Sequence, residues 1–483
     1  MSSVASPTIV WFRRDLRLSD NPALQAAVER GRPVIPVFVL DDTPGLRAPG
    51  AASRWWLDKS LQALAADLEV RGSRLILRRG PAEAVVSALV QETGAERVLW
   101  NRLYDPATVG RDTALKASLK ASGVAAESFN AALLFEPWQV KNKSGEPFRV
   151  FTPFWRAARP LIPEIVVTGA PKALPAPAAW PLSDERSTWR LHPQSPDWSA
   201  GFSDWTPGEV GAQQRLSRFL EVGINSYATE RDRPDIEATS RLSPHLHFGE
   251  IGPRQVLHAV QFASAQPEAA RSAEKFVSEI GWREFSYSLL FHTPDLGRDN
   301  IKPAFDHFPW RTDAAALEAW RRGRTGFPLV DAGMRELWAT GYMHNRVRMV
   351  VASFLIKHLL QDWRVGEAWF WDTLVDADPA NNAASWQWVA GAGADAQPFF
   401  RIYNPMEQGR KFDPEGVYTR RWVPELRRLP DEHIHEPWAA PVEVLRRAGV
   451  VLGHTYPQPI VEHKAARERA LAALNQMTAA AKG

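Results

Sequence analysis

Eleven prolines lie between residues 137 and 196, and this cluster constrains the fold more than any other feature of the chain. Proline has no backbone N–H and a restricted φ, so such a segment forms neither a long helix nor a central strand. We therefore predict an irregular interdomain connector over residues 131–207. At 483 residues the chain is too long for one ordinary core, and the connector divides it into an earlier and a later part.

Before the connector, short apolar runs alternate with amphipathic stretches. The strand-like runs are TIVWF (8–12), PVIPVFVL (33–40), RLILRR (74–79) and RVLW (97–100). Helical spacing is seen between them, for example in RWWLDKSLQALAADLEV (54–70). Buried strands alternating with helices predict a doubly wound, Rossmann-like parallel-sheet α/β domain over residues 1–130. The first strand is not followed by a glycine-rich turn, which argues against a nicotinamide site.

From residue 208 to residue 483, apolar residues recur at intervals of three and four. This spacing predicts a large all-helical domain, with helices at 213–221, 273–291, 346–360 and 442–449.

Composition excludes several classes of chemistry. The chain has no Cys, so disulfides, thiol nucleophiles, thiolate zinc sites and Cys-ligated iron–sulfur clusters are excluded. The pairs His245/His247 and His433/His435 lack a third ligand at motif spacing, and we predict no metal site.

No window predicts a membrane span and the N-terminus does not resemble a signal peptide, so we expect a cytoplasmic protein. A net charge of +3 is too small to indicate a nucleic-acid partner by itself.

The segment PANNAASWQWVAGAGADAQP (379–398) combines two Asn, two Trp and very little charge. We predict a helix with Asp378 as N-cap and Pro379 as its first residue, which places Asn382 and Trp386 on one face. Buried Asn needs hydrogen-bond partners, so this face favours a planar polar ring system. A core helix with a water-bonded Asn is the alternative, and it is favoured by this stretch taken alone.

Three further segments carry candidate ligand-binding groups, each with a structural alternative. TSRLSPHL (239–246) offers donors for phosphate, or is a capped helix start. One face of SEIGWREF presents Glu279, Trp282, Arg283 and Ser286, or Arg283 pairs with Glu279 beside an exposed Trp. A third set comprises Asn345, Arg348, Met349 and Ala352 on one helix face, followed by Asp376 and Asp378, which are also possible helix caps.

These segments together resemble one known family. WFRRDLRLSDNPAL, TSRLSPHLHFGE, WREF, GFPLVDAGMRELWATGYMHNR, DADPANNAASWQW and FRIYNPMEQGRKFDP are similar, in order, to the photolyase and cryptochrome family of blue-light flavoproteins. The similarity is greatest to bacterial cyclobutane pyrimidine dimer (CPD) DNA photolyases. It implies a light-dependent DNA repair enzyme, a deoxyribodipyrimidine photolyase. A blue-light signalling cryptochrome or a (6-4) photolyase is the alternative.

The resemblance implies FAD as cofactor, active in its reduced form. The implied FAD contacts are Tyr227, Thr239, Ser240, Arg241, Leu242, Ser243, Glu279, Arg283, Asn345, Arg348, Asp376, Asp378 and Asn382. Within this set, the amide of Asn382 is implied to face flavin N5. Trp386, Trp363 and Trp310 are implied to carry electrons between the flavin and the surface. Glu279, Asn382 and these three Trp form the implied catalytic set.

The resemblance also implies a cavity for a flipped-out pyrimidine dimer. Its implied residues are Arg231, Glu279, Trp282, Asn345, Met349, Trp388 and Arg401. Trp282 and Trp388 are expected to form apolar walls, and Glu279 to bond a thymine carbonyl. Arg231 and Arg401 are expected to contact phosphates of UV-damaged DNA, single- or double-stranded and independent of sequence. Asn345 and Met349 stand where (6-4) photolyases tend to carry His. A monomer is expected.

A second, antenna chromophore is usual in the family. Folate-binding relatives often carry an Asn-Glu pair where this chain has Ala107 and Thr108, with Asp105 nearby but displaced. We expect a folate derivative (methenyltetrahydrofolate) rather than a deazaflavin, although a chain without an antenna is also open. No residue is assigned to it.

Overall fold

A computed structural model describes residues 5–263 and 267–480. The first part of the chain forms a five-stranded sheet in the order β3-β2-β1-β4-β5, and every neighbouring pair is parallel. The strands are β1 Thr8–Phe12, β2 Val34–Leu40, β3 Ile76–Arg79, β4 Arg97–Asn101 and β5 Ala125–Phe129. The order reverses between β1 and β4, so the predicted doubly wound α/β fold is confirmed.

Helices cover both faces of this sheet: α1 Pro22–Val28, α2 Ala51–Glu69, α3 Ala82–Thr93 and α4 Pro106–Ala121. Alternate residues of β1 belong to different cores, because successive strand side chains point to opposite faces. Phe12 packs in the core that contains Trp56, and Trp11 packs in the core that contains Trp100.

The four predicted strands lie within two residues of their observed positions, whereas β5 was not predicted. All five residues of β5, AAESF, are only partly buried. As an edge strand it is paired on one side alone, by β4, so it needs no continuous apolar run.

The segment 131–207 is mostly irregular, with one helix, α5 Phe151–Ala158, and several short 3₁₀ turns. Pro153 lies in the first turn of α5, where a missing N–H removes no intrahelical hydrogen bond. The sheet ends at Phe129, next to the predicted boundary at 130. The division into domains at 130 and 207 stays a prediction.

The rest of the chain is helical, as predicted. Its helices are α6 Glu209–Arg218, α7 Tyr227–Glu230, α8 Ser243–Phe248, α9 Pro253–Ala263, α10 Pro267–His292, α11 Ala314–Arg321, α12 Pro328–Thr340, α13 Asn345–Ser353, α14 Trp363–Thr373, α15 Asn381–Ala390, α16 Pro405–Phe412, α17 Val417–Trp422, α18 Val442–Ala448 and α19 His463–Ala480. Two π-helical segments, Phe219–Gly223 and Phe354–His358, continue α6 and α13. Among the described residues, no helix has the length and apolar character needed to span a membrane.

Helix α15 begins at Asn381, two residues after the predicted first residue Pro379. The N-cap is Ala380 and not the predicted Asp378, although Asp378 still accepts from the first backbone donors. The Asp378 carboxylate accepts hydrogen bonds from the backbone N–H groups of Ala380 and Asn381, at 2.9 and 2.7 Å. These bonds satisfy donors that have no intrahelical partner at a helix start.

Candidate active site

Helix α15 lies at the centre of the candidate site and packs against α10, α13 and α14. Asn382 is buried on this helix. Its Nδ2 donates to the backbone carbonyl of Glu367 at 3.0 Å and to Glu367 Oε1 at 2.8 Å. A carbonyl and a carboxylate oxygen accept, so the NH₂ group must face Glu367. Oδ1 is therefore left as an acceptor for another group.

Trp386, one turn after Asn382, is buried at 2% exposure. Its ring packs at 4.9 Å from Phe370 and lies so close to α14 that a Cβ atom at Gly366 would overlap it. Its Nε1 is buried without a hydrogen-bond partner. Trp363 is also fully buried and donates its Nε1–H to Asn300, whereas Trp310 is partly exposed. All three rings belong to, or pack against, one hydrophobic core.

An ion pair joins α13 to the loop before α15. Arg348 donates to both carboxylate oxygens of Asp376, at 3.1 and 2.8 Å, and the Ser243 hydroxyl donates to the same carboxylate at 2.6 Å. Burial lowers the pKa of Arg348, but the charge and hydrogen bonds of Asp376, together with Tyr342 and Glu336, outweigh this effect and the pKa is raised. Side chains from α8 and α13 therefore meet the Asp376 carboxylate.

The segment predicted to bind phosphate has an unusual arginine. Arg241 has φ +52°, and its guanidinium lies over the rings of Trp205 and Tyr342 at 4.5 and 4.7 Å. Its Nε is buried and has no hydrogen-bond partner. A left-handed backbone and an unsatisfied cation are both costly, and they suit a site that an anionic ligand completes. The unpartnered guanidinium of Arg241 therefore fits the diphosphate of FAD.

The other predicted FAD contacts have mixed environments. Tyr227 is buried, and burial raises the pKa of its hydroxyl. Arg283 donates to the carbonyl of Ala132 at 2.7 Å and lies over the Tyr287 ring. Asn345 begins α13 and is exposed. Thr239, Ser240 and Leu242 lie in the loop that leads into α8.

Glu279 on α10 is bound by two cations. It forms an ion pair with Arg231 and another with Lys275, the latter at 3.1 Å. The alternative pair of Arg283 with Glu279 is not formed, because Arg283 turns towards Ala132. Asp232, next to Arg231, forms an ion pair with Arg346 at 2.8 Å.

Aromatic groups flank this charged rim. Trp282 stacks on Phe151 with ring centroids 3.8 Å apart, and this contact joins α10 to α5 of the connector. Trp388 and Met349 are partly buried, whereas Arg401 is exposed. The structure thus provides partly accessible apolar surface on three of the helices that carry predicted substrate residues.

Two further residues were not singled out from the sequence. Glu367 binds the amide of Asn382, and Arg47 binds Glu367 through two hydrogen bonds of 2.7 and 2.8 Å. Arg47 and Glu367 are separated by 320 residues. No local pattern signals this contact, because it exists only once the sheet-containing part and the helices are packed together.

Lys357 supports the loop that carries Arg401. It is fully buried in the π-helical segment after α13, and its Nζ donates to the carbonyl of Arg401 at 2.8 Å. Burial lowers the pKa of Lys357 to about 7. A lysine in an unfolded chain titrates near pH ~10.4, so the unfolded chain binds more protons between these values, and the contribution of Lys357 to stability rises with pH.

We expect a Lys357→Met variant to lose this pH dependence. Between about pH 6.5 and about pH 8.5, the wild-type protein should gain roughly 2 kcal/mol of stability relative to the variant. Thermal unfolding at both pH values, with FAD in excess, measures the difference. Lys302→Met is the matched control, because Lys302 also donates to a backbone carbonyl but is exposed. Equal melting-point differences at the two pH values for Lys357→Met would contradict the prediction.

Comparison with known proteins gives a consistent result. Residues 8–178 match the family model described as DNA photolyase, and residues 276–476 match the one described as FAD binding domain of DNA photolyase. The chain is 55% identical to a deoxyribodipyrimidine photo-lyase of Agrobacterium fabrum over 98% of both chains. It is 43% identical to cryptochrome-1 of Arabidopsis thaliana, over 97% of this chain and 70% of that protein. The crystal structure of a bacterial class III photolyase from Agrobacterium tumefaciens superposes with a TM-score of 0.96, at 54% identity and 99% coverage of both chains.

Proposed function

This chain belongs to the photolyase and cryptochrome family, and on that premise we propose that it is a deoxyribodipyrimidine photolyase, which uses light to split cyclobutane pyrimidine dimers in DNA. The observation that carries this conclusion is the 55% identity to the Agrobacterium fabrum photolyase over nearly the whole of both chains. Cryptochrome-1 of Arabidopsis thaliana, in contrast, is only 43% identical over 97% of this chain. A repair enzyme is therefore favoured over a signalling cryptochrome.

When bound in its reduced form and excited by light, FAD would supply the electron that opens the two linking C–C bonds of the dimer, and it would regain that electron once the bonds are broken. The residues of the site would hold this cofactor in place. Arg241 would offer donors to its diphosphate, and the Arg348–Asp376 pair, which is completed by the Ser243 hydroxyl, would present fixed charges beside it. Asn382 offers Oδ1 to an N–H of the ring, because both of its own N–H groups are bound to Glu367.

The proposed substrate residues would receive a pyrimidine dimer that has left the DNA stack. Trp282 and Trp388 would form the apolar walls of a cavity, with Asn345 and Met349 on α13 beside them. A hydrogen bond from Glu279 to a thymine carbonyl requires a proton on the carboxyl group, since both partners otherwise only accept.

Arg231 and Arg401 would position the DNA strand through its phosphates. Such contacts carry no base information, so binding should not depend on sequence. They also release counterions, and affinity should fall as salt rises. Arg401 is exposed and free to reach a strand, while its backbone is tied to buried Lys357.

The proposed electron-transfer residues follow a gradient of burial. Trp386 and Trp363 are buried, and Trp310 is partly exposed. Indole is the most easily oxidised ring among the common aromatic side chains, so a series from the core to the surface suits the transfer of electrons to the cofactor.

For the antenna we propose a folate derivative rather than a deazaflavin. In doubly wound sheets, flavin-like rings bind at the carboxyl ends of the strands where the order reverses, here between β1 and β4. In this protein, two buried ion pairs occupy this position and leave it unsuited to such a ring. Arg13 pairs with Asp112 at 2.7 Å and Arg111 with Asp41 at 2.5 Å, and all four side chains are at most 12% exposed. Asp105 is used by its own turn, where it accepts from the backbone N–H and hydroxyl of Thr108.

The function is tested with purified, photoreduced protein and an oligonucleotide that contains one defined thymine dimer. Blue light should restore intact thymines, and a dark control should not. A parallel oligonucleotide with a (6-4) product distinguishes the two repair chemistries. Bound, photoreduced FAD without restoration of either lesion would point to a receptor instead.

A Trp388→Ala variant separates the lesion cavity from the cofactor site. Trp388 is half-buried on the helix that carries Asn382, so its loss should weaken binding of the dimer oligonucleotide about tenfold or more, in line with the 1–3 kcal/mol typical of stacking on a base. FAD content should remain close to that of the wild-type protein. Equal loss of lesion binding and FAD would argue against a cavity lined by Trp388.

A further inference from the structure

Arg47 connects the sheet-containing part of the chain to the centre of the candidate site. It lies in the loop between β2 and α2, and its two terminal nitrogens bind the two carboxylate oxygens of Glu367 at 2.7 and 2.8 Å. This bidentate geometry is the strongest form of an arginine–carboxylate pair. The Glu367 side chain is only 4% exposed, whereas that of Arg47 is 43% exposed. A half-exposed cation is therefore paired with a buried carboxylate.

The loop that carries Arg47 is held firmly on α14. The Arg47 guanidinium lies 3.9 Å from the centre of the Trp371 ring, and the Trp371 Nε1–H donates to the carbonyl of Ala48 at 2.9 Å. The backbone N–H of Ala51 donates to Asp372 at 2.9 Å. A side chain at Gly50 would collide with the backbone of Trp371. Arg47 is thus placed by several independent contacts and does not depend on Glu367 alone.

Glu367 transmits this placement to Asn382. Its Oε1 accepts from both Arg47 and the Asn382 amide, and its backbone carbonyl accepts the second amide N–H. As long as Glu367 only accepts, the amide cannot turn round. A buried carboxyl group without a cation favours the neutral acid, which carries an O–H donor. That donor would be satisfied by Asn382 Oδ1. Only the backbone carbonyl of Glu367 would then still favour the present orientation, so the fraction of reversed amide, with its NH₂ group towards the cofactor, would rise.

We infer that Arg47 is a positioning residue of the flavin site: by keeping Glu367 an acceptor, it keeps Asn382 Oδ1 directed at the cofactor. This inference rests on the placement of Asn382 beside the FAD ring in the proposed function. An acceptor at that position stabilises a ring nitrogen that carries a proton, and the reduced ring carries one more N–H there than the oxidised ring. Loss of Arg47 should therefore make bound FAD harder to reduce.

The test is a spectroelectrochemical titration of the FAD-loaded protein, which needs no repair activity. In Arg47→Met, the ratio of reduced to oxidised FAD at a given potential should fall about tenfold, a shift of about 30 mV for a two-electron couple. Glu367→Gln, which is isosteric and introduces a donor, should shift the ratio in the same direction. Because both variants act through one amide, the double variant should shift it no further. Arg47→Lys keeps the charge but not the bidentate geometry, and should give a smaller shift.

Arg54→Met is the matched control, because Arg54 lies in α2 close to the same loop and donates only to the carbonyl of Pro49 among the described residues. A merely structural role of Arg47 would lower the melting temperature and leave the redox ratio unchanged. The inference is overturned if Arg47→Met binds FAD with a ratio within twofold of the wild-type value. If Arg47→Met does not retain FAD, the ratio of reduced to oxidised FAD is measured in Glu367→Gln instead. A value within twofold of the wild-type value then overturns the inference. A protein that shows the shift but repairs no dimer would contradict the proposed function alone.

Discussion

Replacement of Trp386 by Phe is expected to abolish light-driven reduction of bound FAD. The phenyl ring is much harder to oxidise than indole, and we expect the rate of photoreduction to fall by at least roughly 100-fold, equivalent to about 2.7 kcal/mol in the barrier. Trp386 is buried, and its Nε1 makes no hydrogen bond, so the substitution removes no polar contact. The measurement is the rate at which blue light bleaches oxidised FAD in the presence of an external electron donor.

Two controls distinguish a loss of electron transfer from a loss of structure. Chemically reduced Trp386→Phe should repair dimers at close to the wild-type rate, because the Trp series serves the cofactor and not the lesion. Trp100→Phe changes another fully buried Trp, on β4 in the sheet, and should leave photoreduction unchanged. Wild-type photoreduction in Trp386→Phe would exclude Trp386 from the electron-transfer path.

An Asp376→Asn substitution is expected to cause the largest loss of FAD binding. It leaves the Arg348 guanidinium without its counter-ion in a mostly buried position, and breaking such a pair costs on the order of 3 kcal/mol. Asn retains the size of the side chain and can still accept from Ser243, so the effect isolates the charge. We expect FAD content after purification to fall at least tenfold and the melting temperature to fall by several degrees.

Asp362→Asn provides the comparison. Asp362 pairs with Arg364 at 3.0 Å at the start of α14, but both side chains are about 30% exposed, and exposed pairs contribute little. FAD content should be unaffected by this change. If Asp376→Asn retained a full complement of FAD, the proposed role of the Arg348–Asp376 pair in cofactor binding would be wrong.

Much of the architecture follows from local patterns in the sequence. The buried runs of β1, β2, β3 and β4 predicted the parallel sheet, and the spacing of three and four after residue 208 predicted the helical part. Both patterns arise because the buried face of an element carries apolar residues. The period of these residues can be read directly from the sequence. The edge strand β5 was missed because it has no continuous apolar run. Helix α5 does carry apolar residues at helical spacing, Phe151, Phe154 and Ala158, but the prolines in and around it argued against a helix.

The candidate site was predictable only in part. Asn382, Trp386 and Arg348 stood out through their residue types and spacing, and a family resemblance assigned roles to them. The ion pair of Glu279 with Arg231 was not predicted, and Arg283, the expected partner, binds a carbonyl instead. Spacing along a helix gives the partners that lie one turn away, but it cannot rank them against groups from other segments.

The sequence by itself determined the two kinds of secondary structure, the connector between them, the absence of thiol chemistry and the family. The tertiary structure alone decided which way the Asn382 amide points, since that depends on Glu367 from α14 and on Arg47, 320 residues before it. The physical reason is that the first group of properties depends on neighbouring residues, whereas the second depends on residues far apart in the sequence. Periodicity records whether a residue faces water or a core, whereas the orientation of a buried amide is set by donors and acceptors that only the packed chain brings within hydrogen-bond distance.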